Sequence, residues 1–367
     1  MEWEELAAVA KDLGMTKEET LKFFENAERQ RKSEQERVRE QHEMERERAC
    51  DNTSGGVLQL SVTIGILYSY VLGRFLEWEL LAMACFVGAI LLFAASHFSI
   101  ESPRWLLLGG RKFEALQALL KLRGPNFRVE DECAAIQQVF SRVPTPPFHV
   151  LMAFHVHFLQ QFSGINMLIF YARAIFANAG VTVTAANSSV IIAALQVAAT
   201  LAAVSVMDLV GRRRLLTISS MVCVFSMVSI GALHQVAGGG GNASTLMNSE
   251  RMPVIFLGLY IIGYSIGLGP VVWILSAELV PCRNRGFYLG AATAFNWICA
   301  LVVTWLFGVL RETYHYSGMG WFFSSLTFVG AMLVNYFLPE TQGHSLEQIL
   351  LRQFREREDT SIQSTRP

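Results

Sequence analysis

Long apolar segments follow Asn52 and decide what this chain can fold into. About 20 consecutive apolar residues cross a bilayer as a helix, and lipid leaves only helices and closed barrels able to satisfy every backbone hydrogen bond. Eight segments approach that length, so the sequence predicts an all-α membrane protein with eight transmembrane helices. They are residues 57–75, 79–99, 148–171, 188–207, 215–233, 253–275, 290–309 and 320–338.

The first 51 residues have a different composition. Of the 30 basic and 31 acidic residues of the chain, 10 and 15 lie in this segment, which contains no apolar run of the kind that a signal peptide carries. Glu–Arg and Glu–Lys pairs three and four positions apart over residues 17–48 support a helix in water. A charged helical or disordered cytoplasmic segment, residues 1–55, is the preferred interpretation. An arm within residues 1–50 that binds a protein partner is the alternative.

Basic residues concentrate in alternate loops between the predicted helices, which places those loops in the cytoplasm. The Asn242-Ala-Ser244 sequon lies in a loop on the opposite side, following a glycine tract, and is the expected glycosylation site. This pattern predicts a multi-pass integral membrane protein with both termini in the cytoplasm. The basic loop residues are Arg104, Arg111, Lys112, Lys121, Arg123, Arg212, Arg213, Arg214, Arg283 and Arg285.

The cytoplasmic connection over residues 100–147 has a pattern of its own. Apolar residues recur there at helical spacing among basic ones, which predicts an amphipathic helix on the membrane surface. Prolines at 144, 146 and 147 end the segment. The apolar positions are Phe113, Leu116, Leu119, Leu120 and Leu122.

Motifs for catalysis or metal binding are missing from the sequence. The six cysteines are scattered and form no CxxC pair. His149, His155 and His157 do not share one helical face and have no carboxylate beside them, which disfavours a metal site. No phosphate-binding loop, HExxH or GxSxG motif has suitable partners. We therefore expect no enzyme, no cofactor, no metal and no nucleic-acid partner.

Side-chain amides are the main polar groups inside the predicted spans, where polar residues are costly and mark pathways. Carboxamides donate and accept hydrogen bonds, and indole rings can cover an apolar sugar face, so the set suits a neutral polyhydroxylated ligand. Interhelical bonding, worth about 0.6 kcal/mol for each group, is the alternative role. The set is Gln59, Gln160, Gln161, Asn166, Gln196 and Asn296, with Trp273 and Trp297 beside them.

Two spans contain residues that interrupt helices. Gly164 separates Gln161 from Asn166, and a break there would let both amides point inward, as in transporters with discontinuous helices. Gly263, Gly267, Gly269 and Pro270 predict a second loosened helix just before Trp273.

Five strings together resemble the sugar porters of the major facilitator superfamily, the hexose facilitator group. They occur in the family's order. The resemblance as a whole covers residues 56–349 and aligns the eight spans with helices five to twelve of a twelve-helix fold. They are Glu101-Ser-Pro-Arg-Trp105, Gln160-Gln-Phe-Ser-Gly-Ile-Asn166, Asp208-Leu-Val-Gly-Arg-Arg213, Gly267-Leu-Gly-Pro-Val-Val-Trp273 with Glu278 and Arg285, and Pro339-Glu-Thr-Gln-Gly343. The Asn242 sequon is similar to that of the subgroup glycosylated between the ninth and tenth helices.

The resemblance implies roles for individual residues. Ser265 stands where glucose facilitators often have glutamate, and Val272 replaces a usual proline; both departures bear on which sugar is bound. The implied sugar ligands are Gln59, Gln160, Gln161, Asn166, Gln196, Trp273 and Asn296. The implied cytoplasmic gating and salt-bridge residues are Glu101, Arg104, Asp208, Arg212, Arg213, Glu278, Arg285 and Glu340.

The resemblance also implies a domain organisation. Residues 56–99 would be the last two helices of the N-terminal half, 100–147 the linker, 148–340 the six-helix C-terminal half and 341–367 a cytoplasmic tail. The family's first four helices have no counterpart before Asn52, so a truncated form is expected.

Two functions follow from this organisation. The first is facilitated diffusion of a glucose-like hexose across the plasma membrane or an endolysosomal membrane. The alternative is a non-transporting membrane protein, truncated or fused, that interacts with a full-length transporter or another partner.

Overall fold

The computed structural model describes residues 56–124, 129–142, 147–178, 185–238, 252–280 and 284–338. The predicted segment 1–55, the sequon at Asn242, Glu340 and the tail lie outside these ranges. Within them the chain is built from α-helices. In chain order these are α1 Gly56–Leu72, α2 Trp78–Ser96, α3 Pro103–Leu108, α4 Lys112–Arg123, α5 Val129–Arg142, α6 Pro147–Phe162, α7 Ile165–Asn178, α8 Ala185–Val210, α9 Arg212–Gly238, α10 Met252–Ile266, α11 Pro270–Leu279 and α12 Arg285–Phe337.

Six helices of the described chain are long and apolar enough to cross a membrane, and they coincide with six of the eight predicted spans. The predicted span at residues 57–75 is a shorter apolar helix, Gly56–Leu72. The predicted span at residues 148–171 is divided into α6 and α7. The six long spans are Trp78–Ser96, Asn187–Ser205, Arg212–Val236, Met252–Leu279, Arg285–Leu310 and Ser317–Phe337.

The helical segment α12 folds back on itself. His155 and His157, two residues apart in α6, contact Gly330 and Asn296 of α12 respectively. A straight helix would separate those two partners by about 50 Å. The segment therefore bends between its two membrane spans, which pack on the same helix, α6.

The described core lies among α6 to α12, where close backbone approach is made possible by glycine. A Cβ built on Gly320 of α12 would lie 2.9 Å from the Cα of Gly231 in α9, so any side chain at 320 would separate these helices. By contrast, α2 has no buried residue. An apolar helix exposed on all sides is expected in lipid, because hydrocarbon chains solvate it as well as another helix does.

A second, smaller core holds α3, α4 and α5 together. The helix predicted in the linker is present as α4. Ala115 and Ala118 are buried, whereas Phe113 and Leu122 are 72% and 57% exposed. Small residues allow α4 to approach its neighbours closely, which the apolar spacing alone did not indicate. The core consists of Leu106, Leu107, Ala115, Ala118, Leu119, Val129, Cys133 and Ile136.

Candidate functional site

The break between α6 and α7 carries three of the predicted site residues. Gln160 and Gln161 end α6, and Asn166 lies in the first turn of α7. Between them Gly164 has φ +88°, in the left-handed region that favours glycine. A Cβ at Gly164 would also meet Met227 Cε at 2.5 Å. The break predicted at Gly164 is therefore present, and the chain needs glycine there.

Polar groups exposed by this break find partners within the protein. The hydroxyl of Tyr260 in α10 donates to the carbonyl oxygen of Ser163 at 2.9 Å, and Ser163 Oγ donates to the carbonyl oxygen of Gln160 at 2.7 Å. All three residues are buried. Since a buried, unpaired carbonyl is costly, these bonds stabilise the interruption as a fixed structural feature.

The second break, between α10 and α11, also forms where it was predicted. A Cβ at Gly267 would lie 2.4 Å from Ser219 Cβ and 2.7 Å from the backbone oxygen of Leu215, so α9 lies directly against the break. Ser219 Oγ donates to the carbonyl oxygen of Gly263 at 2.7 Å and accepts from the backbone N–H of Leu268 at 2.9 Å. A single serine thus satisfies a donor and an acceptor that the helix leaves open.

Gln160 joins the two breaks. Its Nε2 donates to the carbonyl oxygens of Leu268 at 2.8 Å and Gly269 at 3.2 Å, both in the turn between α10 and α11. The side chain is 2% exposed. The interrupted helices therefore face each other across a direct, buried hydrogen bond.

A continuous chain of side-chain amides extends from Gln160. Asn296 Nδ2 donates to Gln160 Oε1 at 2.8 Å and contacts His157 Nδ1 at 3.1 Å. Gln161 Nε2 donates to Asn296 Oδ1 at 2.9 Å, and Asn166 Nδ2 donates to Gln161 Oε1 at 2.9 Å. Four predicted site residues from three helices thus form one network, with Asn296 at its centre.

The network is neutral and ends at a more exposed residue. Asn166 is half-buried, whereas Gln160, Gln161 and Asn296 are buried. Each amide provides two N–H donors and a carbonyl acceptor, and among the described residues the Asn166 carbonyl and one N–H each of Gln161 and Asn166 have no protein partner in the network. Such groups suit the hydroxyls of an uncharged ligand.

Trp273 lies beside this network, and Trp297 does not. Trp273 in α11 is half-buried, with its ring centroid 4.9 Å from that of His157. Trp297 is 65% exposed. Successive residues of a helix point about 100° apart, so burying Asn296 turns its neighbour outward. The prediction that Trp297 would accompany the amides as a second indole was wrong.

Gln59 and Gln196 stand apart from the hydrogen-bonded chain. Gln59 is a buried residue of α1. A Cβ built on Gly269 would lie 3.5 Å from Gln59 Nε2, so this side chain approaches the second break. Gln196 is buried in α8, and the described residues give it no hydrogen bond to the amide network. The structure therefore brings together five of the seven predicted residues directly or through His157, and a sixth, Gln59, nearby.

His157 belongs to the site, although the sequence analysis considered it only as a metal ligand. It contacts both Asn296 and Trp273 and is 1% exposed. Its position three residues before Gln160 places both on one helical face. That spacing was the signal that could have identified it.

Arg212 and Glu278, two of the predicted gating residues, form an ion pair. Arg212 Nε lies 3.4 Å from Glu278 Oε1, and the arginine side chain is 2% exposed. Arg213 instead donates to the backbone oxygen and to Oδ1 of Asn335 at the end of α12, the latter from Nη2 at 3.1 Å. These contacts join the start of α9 to α11 and to the end of α12.

The remaining predicted gating residues are less defined. Glu101 is exposed and accepts from the backbone N–H of Ser102 at 3.3 Å. Arg104 and Arg285 are half-buried, and both have interaction partners. The Asp208 side chain and the whole of Glu340 lie outside the described residues, as does the expected glycosylation site at Asn242.

Comparison with known proteins finds a matching family and several similar proteins. Residues 43–351 match the family described as "Sugar (and other) transporter". The facilitated trehalose transporter Tret1 of Polypedilum vanderplanki is 34% identical over 305 residues, covering 78% of this chain and 59% of that protein. Tret1 of Bombyx mori is 32% identical, again covering 78% and 59%. The chain thus spans about three fifths of the length of these relatives.

Solved structures share the fold. The proton:xylose symporter XylE bound to 6-bromo-6-deoxy-D-glucose superposes with a TM-score of 0.68 at 22% identity, covering 82% of this chain and 67% of that one. The inward-open conformation of XylE from E. coli gives a TM-score of 0.52 at 22% identity, covering 78% and 61%.

Proposed function

Because the chain belongs to the sugar (and other) transporter family, we propose that it provides the sugar-binding half of a facilitated sugar transporter. In this proposal a glucose-like hexose crosses the membrane by alternating access, in which helical bundles rock about a midplane site. The described chain is helical, with six apolar spans long enough to cross a membrane.

The observation that supports the proposal most strongly is the amide network at the two helix breaks. Gln160, Gln161, Asn166 and Asn296 are held in one orientation by hydrogen bonds among themselves and to the turn before α11. A preorganised set of neutral donors and acceptors binds hydroxyls without the ordering cost that flexible side chains would add. A charged substrate would require a counter-charge that this network does not contain.

The ring of Trp273 would complete the proposed pocket. The half-buried indole of Trp273 offers an apolar surface to a pyranose ring. The unit recognised would be a glucose-like ring, the chemistry common to free glucose and to trehalose, for which several relatives are named. Gln59 and Gln196 would contribute further amides from α1 and α8.

Movement of the proposed transporter would be controlled at its cytoplasmic face. The Arg212–Glu278 pair would hold the closed state, together with the other charged residues of that face. These are Glu101, Arg104, Asp208, Arg213, Arg285 and Glu340. The same proposal places both termini in the cytoplasm, a glycan on Asn242 and the protein in the plasma membrane or an endolysosomal membrane.

A second function, binding to a protein partner without transport, is favoured by one observation. The matched relatives are longer, and this chain covers 59% of the Polypedilum protein. In this alternative the chain would act by interacting with a full-length transporter or another protein, with residues 1–50 as the contact.

Flux through the purified chain distinguishes the two functions. Proteoliposomes containing only this chain are loaded with unlabelled D-glucose or trehalose, and uptake of the same labelled sugar is followed. A transporter gives saturable counterflow, and Asn296→Ala abolishes it. Gln117→Ala, at an exposed position of α4, leaves the counterflow intact. Sugar binding without counterflow shows that this chain alone does not transport, which leaves the second function. Absence of both binding and counterflow contradicts the proposal.

A further inference from the structure

The amide network ends on one side at His157, whose side chain is an imidazole and not an amide. Its Nδ1 is 3.1 Å from Asn296 Nδ2, and its ring meets Trp273 edge to face with an interplanar angle of 69°. A backbone carbonyl can only accept a hydrogen bond. The carbonyl oxygen of Leu268 therefore fixes which end of the Gln160 amide faces it.

That anchor determines the polarity of every later bond. Gln160 must present Nε2 to Leu268 and hence Oε1 to Asn296, so Asn296 must present Nδ2 to Gln160 and to His157. His157 Nδ1 is then required to accept, which means that the imidazole is neutral with its proton on Nε2. The orientation of all the linked amides therefore follows from one backbone carbonyl.

We propose that neutral His157 is a positioning residue that holds Asn296 in its sugar-binding orientation, and that protonation of His157 weakens sugar binding. The inference rests on the proposed function of the site. It concerns His157 as a residue acting through Asn296, not as a direct sugar ligand.

Protonation leaves the network without a complete set of bonds. Nδ1–H of the imidazolium would face Nδ2 of Asn296, donor against donor. Rotating the Asn296 amide would satisfy His157, but it would set Oδ1 against Gln160 Oε1 and Nδ2 against Gln161 Nε2. Gln160 cannot rotate in turn without losing its bonds to Leu268 and Gly269. At least one buried bond is therefore lost, and the disturbance reaches Gln161 and Asn166.

The recorded contacts of His157 among the described residues are neutral, namely Asn296 and Trp273. Titratable groups with described side chains on the helices packed against α6 include Glu278 of α11, which pairs with Arg212, and Arg285, Tyr288, Cys299 and Tyr336 of α12. From α10, Tyr260 donates to the carbonyl oxygen of Ser163 and Tyr264 hydrogen-bonds Gln160. The side chains of Tyr171 and Arg173 in α7 and of residues 311–316 in α12 lie outside the described set. On α6 itself, His155 contacts the Gly330 carbonyl, and buried His149 lies near the opposite end.

Sugar affinity measured against pH tests the proposal. The purified chain in nanodiscs is titrated with D-glucose and with trehalose between about pH 8 and about pH 4.5. The wild-type affinity should fall towards the acid end of this range, because the protonated fraction of His157 rises there. His157→Gln, which accepts from Asn296 at every pH, should lose this dependence. His155→Gln is the matched control and should keep it.

A sugar-free measurement addresses His157 independently. The melting temperature of the wild-type chain should fall in acid relative to that of His157→Gln, because protonation breaks a network that joins several helices, while His155→Gln should follow the wild type. Equal acid dependence in wild type and His157→Gln, of affinity or of melting, overturns the inference. A wild-type chain that binds neither sugar at neutral pH overturns the proposed function instead, and the melting comparison then decides the role of His157.

Discussion

Gln160 Nε2 and the carbonyl oxygen of Leu268, 108 residues apart in the chain, are 2.8 Å apart. One lies at the end of α6 and the other in the turn between α10 and α11. A backbone carbonyl is available to Gln160 because the helix is interrupted there. When α11 moves against α6, this hydrogen bond must either break or move with both helices. The bond therefore couples α11, which contains Trp273, to the amide network.

Asn296 should be the residue whose removal disturbs the network most. Asn296→Ala leaves Gln160 Oε1, Gln161 Nε2 and His157 Nδ1 without their shared partner, and we expect a loss of about 3 kcal/mol in stability from these buried groups. Thermal unfolding in detergent measures it. Thr304→Val, on the same helix, removes only a bond to the Ala300 carbonyl and serves as the control. An equal effect of the two changes would contradict the central position of Asn296.

Gly267 should be intolerant of any side chain. Its Cβ would lie 2.7 Å from the backbone oxygen of Leu215, an atom that cannot move without shifting α9. We expect Gly267→Ala to lower the yield of folded protein and to destabilise the chain by about 2 kcal/mol or more. Gly290→Ala, with no heavy atom within 4 Å of the new Cβ, should leave both unchanged. Monodispersity on size exclusion and thermal unfolding report the difference.

Burial makes the Arg212–Glu278 pair sensitive to loss of either charge. Glu278→Gln removes a carboxylate from beside an arginine whose side chain is 2% exposed, and losing one partner of a buried ion pair costs about 2 kcal/mol or more. Arg214→Gln, at an exposed position two residues along α9, should be close to neutral. Unfolding midpoints of the two variants should therefore differ clearly. Equal midpoints would mean that the pair contributes no net stability.

The positions of six of the eight spans and the two interruptions could be predicted from the sequence, because they depend on local chemistry. Apolar length indicates a span, and glycine with proline indicates a break. The pairing of Gln160 with Leu268 could not be predicted, since it depends on how two distant breaks meet in space. Periodicity identified α4, whereas its packing through Ala115 and Ala118 could not be predicted from the spacing of large apolar residues.

The amides were identified because carboxamides are rare and costly inside membrane helices. His157 was missed because histidine has several uses, and only its contact with Asn296 decides among them. Trp297 was included because it adjoins Asn296, although neighbours along a helix point in different directions. Residue type therefore identified the amides of the site, whereas the arrangement of the side chains around them could be known only from the fold.

Cys133 reports on the small linker core. Burial raises the pKa of the Cys133 thiol, so the reactive thiolate is scarcer than for a free cysteine at the same pH. Maleimide labelling followed by peptide mass spectrometry should find Cys133 protected in the native chain. Leu119→Ala, which opens the core, should expose it, whereas Leu122→Ala at a 57% exposed position should not. Rapid labelling in the wild type would contradict this packing.

Equilibrium binding of labelled D-glucose and trehalose to the purified chain tests the central claim most directly. Gln161→Ala removes an amide that joins Asn296 to Asn166, whereas Gln117→Ala removes an exposed amide of α4. The account predicts saturable binding of at least one sugar, weakened about tenfold or more by Gln161→Ala and unchanged by Gln117→Ala. Binding that is absent in the wild type, or that Gln161→Ala leaves unaltered, would contradict it.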